Sequence, residues 1–268
     1  MNTLQRFRQA PNTVAEAKLN IFAPFEKEKT EELKCVIFES NKYKVTLDGY
    51  KLNQIHRDII DIASYYGDNS FDGRTADIRP LRTFSLYDIQ KHLNYKSKNQ
   101  NEWIEEKFRE MQKSLIKIED KEKGDWVQFN IIEVAKYSKK LNKYAIVLSE
   151  TYTLFFENEI SINYKAYLSE ILSLNAQTRA LVRFIISHSN SFHIDLDKAM
   201  EKIGITKKKI TTRAFNYNRK RILEDKEQLE KLNIYLTKKS NDDRKKDFII
   251  DYKILPQIQI YHPKTDKN

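Results

Sequence analysis

The densest chemistry in the chain lies in the run Lys207-Lys208-Lys209-Ile210-Thr211-Thr212-Arg213-Ala214-Phe215-Asn216-Tyr217-Asn218-Arg219-Lys220-Arg221, which holds seven cationic side chains and no acid. On a helix advancing about 100° per residue, Phe215, Ile222 and Leu229 form one buried line. Lys209, Arg213, Tyr217, Lys220 and Arg221 then fall on the opposite side, with Asn216 on the flank. One-sided cations beside an amide are what reading a duplex groove requires. Arg and Lys pair with guanine, Asn pairs with adenine, and the remaining donors hold phosphate. Lys207, Lys208 and Thr212 stand at the entry to the same helix and join the candidate set. An ordinary solvated helix interleaves acids with its cations, as this one does further on with Glu224, Asp225, Glu227 and Glu230. The change of charge along the helix predicts a DNA-facing first half and a scaffold second half.

Two weaker basic stretches accompany it. Lys96, Lys98 and Asn99 lead into an earlier helix that carries Glu102, Glu105 and Glu106 close behind. Lys239, Arg244 and Lys245 lie in the run Lys238 to Lys246, which also holds Asp242 and Asp243. Both are candidate backbone contacts. Catalytic constellations are missing. The five histidines (His56, His92, His188, His193, His262) form no HxxxH, HxH or HExxH spacing, so no metal site is expected. No GxxxxGK[ST] cradle occurs, and the tyrosines lack the paired histidines that a metal-assisted nicking reaction would use. The expectation is a binding protein without cofactor and not an enzyme. Cys35 alone excludes an internal disulfide, and its setting in Cys35-Val36-Ile37-Phe38 predicts a buried structural thiol.

The elements that would position these residues follow from periodicity. Leu52, Ile55, Ile59, Ile62, Ala63 and Tyr66 recur at helical spacing, with Asn53 as N-cap and Gly67 as stop. Arg82 to Phe84 reads as a short strand, Ser85 caps a helix to Leu93, and a longer helix runs from about Asn99 to Ser114. Ile116 to Glu119 and Trp126 to Val134 read as strands around the charged tip Asp120 to Asp125. Helix, short strand, two helices and a β-hairpin make a winged helix, a helix-turn-helix with a hairpin wing.

The order then repeats. A helix spans Thr178 to Ser187, Phe192 to Ile194 is a strand, and Asp195 caps a helix ending at Gly204. A long helix from about Lys207 to Leu232 leads to Ile234 to Leu236, and Phe248 to Ile254 returns. Cys35 to Phe38 and Tyr43 to Leu47 suggest a hairpin before the first unit. The expected fold is α+β, two tandem winged-helix domains: an N-terminal arm over 1–30, a first winged helix over 31–155, a second over 156–255 and a tail over 256–268.

Whole-chain properties agree. The chain has 268 residues and 48 Lys+Arg against 38 Asp+Glu, a formal charge of +10. Its pI is about 9.3 and its mean hydropathy −0.70. A polyanionic partner fits this balance, and no amphipathic anchor, signal segment or apolar run of membrane-spanning length appears. A cytoplasmic protein is expected.

With both units laid out, the chain resembles the iteron-type replication initiators, the Rep proteins of theta-replicating bacterial plasmids. The likeness is carried by Phe84-Ser85-Leu86-Tyr87-Asp88-Ile89 through Leu115-Ile116-Lys117-Ile118. It continues in Tyr144 to Ser149 with Tyr164 to Leu174 and Arg179 to Ile186, and in Phe215 to Leu223 running to Ile234. The resemblance implies binding of double-stranded DNA at repeated origin sites, opening of the origin and recruitment of host replication proteins such as the helicase. It also implies self-association, as a dimer through the first winged helix. A dimeric winged-helix transcriptional repressor is the closest alternative, and a DNA-nicking enzyme a remote one.

Overall fold

The computed structural model describes residues 12–25, 32–67, 81–93, 100–155, 161–188, 191–239 and 248–261. In chain order, β1 (Asn12–Thr13) and α1 (Val14–Lys18) precede the paired strands β2 (Glu32–Glu39) and β3 (Tyr43–Tyr50). Then come α2 (Gln54–Tyr66), β4 (Leu81–Phe84), α3 (Leu86–Leu93), α4 (Gln100–Lys113), β5 (Leu115–Asp120), β6 (Trp126–Phe129), β7 (Ile132–Ser138) and β8 (Lys143–Leu148). After α5 (Glu150–Phe155) and β9 (Ser161–Asn163) follow α6 (Leu168–Leu172), α7 (Ala176–Ile186), β10 (Phe192–Asp195) and α8 (Leu196–Lys202). The chain continues with α9 (Thr212–Glu224), α10 (Lys226–Lys231), β11 (Ile234–Lys238), β12 (Phe248–Tyr252) and β13 (Gln259–Tyr261).

The two winged helices are visible in the sheets. In the first, the order β4-β8-β7 places the strand between the helices beside the last strand of the hairpin. In the second, β10-β12-β11 repeats that order. Local chemistry sets the helix starts. The Asn53 side chain accepts from Ile55 N at 3.0 Å while Asn53 N donates to His56 Nδ1 at 3.1 Å, so α2 opens on a reciprocal cap. Ser85 and Asp88 do the same for α3, with Ser85 N donating to Asp88 Oδ2 at 2.7 Å and Asp88 N to Ser85 Oγ at 3.2 Å.

The first wing differs from the sequence expectation. Trp126 to Val134 is not one returning strand. β6 pairs with β5 and joins the four-stranded sheet β2-β3-β5-β6, whereas β7 leaves for the other sheet and pairs with β8. The chain turns the corner at Asn130, whose Nδ2 donates to Gln112 O at 2.9 Å and whose carbonyl accepts from Ser149 Oγ. Apolar alternation continues across the corner and so conceals it. The wing is therefore β7–β8, with its turn at Lys139–Asn142, and Tyr144 to Leu148 belongs to it.

The terminal segments are also more engaged than an arm and a tail. Leu19, Ile21, Phe22 and Ala23 are buried, and β1 and β13 flank β9 in a three-stranded sheet. One hydrophobic cluster runs through both winged helices. Where they meet, α2 and α7 are joined by buried charges. Arg183 donates to Asp58 at 2.6 Å and to Asp61 at 2.8 Å, and Arg179 lies 3.1 Å from Asp58. Arg57 bridges Asp61 and Glu16, each at 2.6 Å, and Tyr164 donates to Asp61 at 2.7 Å. Burial pushes the Glu16 carboxyl above the usual range, against the opposing pull of Arg57. Cys35 is half-buried, packed against the core edge.

Candidate nucleic-acid interface

The second winged helix presents its helix-turn-helix through a tight turn. Gly204 adopts φ +90°, a left-handed conformation that favours glycine, as α8 ends. Lys207 to Ile210 do not extend the following helix. They form a turn closed on Thr206, whose carbonyl accepts from Lys209 N at 3.0 Å and Ile210 N at 3.1 Å. The helix begins one turn later because Thr211 caps it, its hydroxyl accepting from Ala214 N at 3.2 Å. The expected long helix also breaks at Asp225, where α9 gives way to α10. Asp225 is anchored by its carboxylate accepting from Asn175 N at 2.8 Å, which ties the break to the start of α7.

Phe215, Ile222 and Leu229 are buried, as their spacing requires. Opposite them, Lys208, Lys209, Thr212, Arg213, Asn216, Tyr217 and Lys220 are exposed. Arg213, Asn216, Tyr217 and Lys220 follow one another at three-, one- and three-residue steps and make one continuous face of α9. Tyr217 is 60% exposed, a large aromatic ring with no core to fill. The helix N-terminus adds its own partial positive charge beside Lys208 and Lys209. Lys220 lies 3.8 Å from Glu224, a solvent-exposed pair that polyanion binding can replace at little cost.

Three expected contacts are turned toward the protein. Arg221 bonds Glu224 at 2.8 Å and the Asn175 side chain, because its long stem reaches the acid one turn on and the start of α7. Lys207 sits 3.1 Å from Asp197 with its ammonium over the Phe215 ring. Lys239 pairs with Asp195, whose carboxyl that hydrogen bond holds below its usual range. Lys96, Lys98, Asn99, Arg244 and Lys245 lie outside the described residues. Sequence spacing missed two scaffold roles. Asn218 is buried and accepts from Gln177 Nε2 at 3.0 Å, and Arg219 runs between Asp197 and the Phe248 ring. A polar residue three positions from Phe215 on the buried side was the available signal for Asn218.

The first winged helix is different in character. Glu102, Glu105 and Glu106 are exposed along α4, with Arg109 and Lys113 only toward its end. Among the described residues no group of three His, Cys, Asp or Glu side chains is arranged to hold a metal ion, and no helix is long and apolar enough to cross a membrane.

The fold is thus a pair of tandem winged helices. Crystal structures of domains 2 and 3 of RctB share it. One aligns with TM-score 0.58 and 13% identity over 90% of this chain and 98% of that one. A second aligns with TM-score 0.52 and 12% identity over 88% and 95%. No family model matches the chain, and no curated protein matches it.

Proposed function

We propose that this chain is a non-enzymatic, sequence-specific binder of double-stranded DNA that initiates plasmid replication at repeated origin sites. The observation that carries the reading is the exposed cationic face of α9, set on the recognition helix of the second winged helix and free of acids up to Glu224. The tandem winged-helix architecture, shared with domains 2 and 3 of RctB, supports it. So does the resemblance of the sequence to iteron-type initiators. On this reading α9 enters a major groove, where Arg213 and Asn216 read base edges while Lys208, Lys209 and Lys220 hold phosphate. Origin opening and recruitment of the host helicase follow from DNA binding, in the cytoplasm and without a cofactor.

Self-association through the first winged helix is part of the same proposal. Among the described residues β2 is one of the two edge strands of its four-stranded sheet, eight residues long, with Leu33 and Val36 exposed. Such an edge offers unpaired backbone groups to a second copy. A repressor would use the same parts. Footprinting on the DNA flanking the gene separates the two: protection of direct repeats supports the initiator, and protection of a lone inverted repeat supports the repressor.

A further inference from the structure

The helix of the first winged helix that stands where α9 stands in the second is a poor match for DNA, since Glu102, Glu105 and Glu106 project from it. The wing beside it has the opposite charge. Lys136, Lys139, Lys140 and Lys143 lie along β7, its turn and β8, and no acid occurs from 134 to 149. The tip is held in shape. Leu141 N donates to Ser138 Oγ at 3.3 Å, Tyr137 Oη donates to Asn142 Oδ1 at 2.9 Å, and Asn142 adopts φ +47°. At the apex Leu141 is 67% exposed. Ammonium groups around an exposed aliphatic tip fit the edge of a duplex groove, with the cations on phosphates and the apolar side chain entering between them.

We propose that the β7–β8 wing, and not α4, is the DNA contact of the first winged helix, with Lys139 and Lys140 on backbone phosphates and Leu141 in the minor groove. This deepens the DNA-binding reading and rests on it. The hairpin Asp120 to Asp125 is a matched control, because its two lysines stand among three acids.

The test compares the full chain with the pair Lys139→Ala/Lys140→Ala and the control pair Lys121→Ala/Lys123→Ala. Each is titrated by anisotropy against a fluorescein-labelled random duplex of about 40 base pairs, roughly four helical turns. The slope of log affinity against log salt should become shallower by roughly 1.8 for the wing pair, because two phosphates are then no longer neutralised, and stay the same for the control pair. Leu141→Ala should weaken binding several-fold at unchanged slope. All four side chains of the two pairs lie outside the core, and melting temperatures confirm that the variants fold. Equal changes in both pairs, or no change in the wing pair, overturn the wing assignment. If Arg213→Ala still weakens binding to the DNA flanking the gene in that case, the DNA-binding reading stands without the wing; if the unaltered chain does not bind the duplex, both fall.

Discussion

Arg213 and Arg221 are eight positions apart, on the same helix and of the same type, yet the structure gives them different work. Arg213 is exposed and makes no ion pair among the described residues, whereas Arg221 is spent on Glu224 and Asn175. Arg213→Ala should therefore cost about 1–3 kcal/mol of specific DNA affinity and leave folding stability unchanged. Arg221→Ala should do the reverse, lowering urea stability while leaving specific binding within about twofold, since a well-separated scaffold change contributes little to binding. Competition titrations and urea melts on the two variants measure this crossing of effects.

A second residue-scale prediction concerns pH. His56 is fully buried, with Nδ1 accepting from Asn53 N and Nε2 2.5 Å from Glu110, so the neutral ring carries its proton on Nε2. Burial, the largest influence, lowers its pKa. Against its own burial, hydrogen bonds from His56 and Lys107 hold Glu110 below the usual carboxylate range. The unfolded chain takes up a proton on His56 near about pH 6.5, and the folded chain only at a lower pH. The stability that His56 contributes is therefore present above that pH and is lost as pH falls below it. His56→Gln should flatten the stability profile between about pH 7 and 5, as read from denaturant midpoints; an unchanged profile would refute the neutral buried ring.

At the scale of elements, caps decide where α9 starts. Thr211→Ala removes the acceptor for Ala214 N and should cost about 1 kcal/mol, with helix signal lost at its first turn. Such elements were legible to different degrees. The helix over Gln54–Tyr66 was readable because Asn53, Gly67 and the apolar spacing all agree. The repeat of helix, strand, helix, helix and hairpin was readable because both copies keep the same order. The first wing was not, because Trp126 to Val134 keeps its apolar character through the corner at Asn130 and strand pairing leaves no local mark. The start of α9 was misplaced because Lys207 to Lys209 have ordinary helix propensity, while the deciding features are two successive hydroxyl caps at Thr206 and Thr211. Within the candidate site, the sequence disclosed which residues face away from Phe215 and Ile222. It could not disclose that Lys207 and Lys239 find acids within the protein, since Asp197 and Asp195 are near them only in three dimensions, nor that Arg221 also reaches Asn175 at the start of α7.

Taken whole, the molecule joins its two winged helices by charge as well as by apolar contact. Asp58 and Asp61 sit on α2 and Arg179 and Arg183 on α7, all inside one core cluster. Removing Arg183 leaves two buried carboxylates with one cation fewer between them, Asp58 facing Arg179 and Asp61 facing Arg57 and Tyr164. Arg183→Leu should accordingly lower stability by about 3–5 kcal/mol, seen in urea melts as a loss in both winged helices together, because the same cluster runs through them. Two transitions, with one winged helix unaffected, would contradict this coupling.

The most direct test of the molecule as a DNA binder is a salt series of equilibrium titrations with the DNA flanking the gene, using the full chain and Arg213→Ala/Lys220→Ala. A groove-bound α9 requires log affinity to fall steeply and linearly with log salt. It also requires the double variant to lose binding on its preferred site, where the Arg213 base contact adds about 1–3 kcal/mol that is not lost on random duplex, while the Lys220 phosphate contact is lost on both. A flat salt response, or a double variant that binds its site like the unaltered chain, would contradict it.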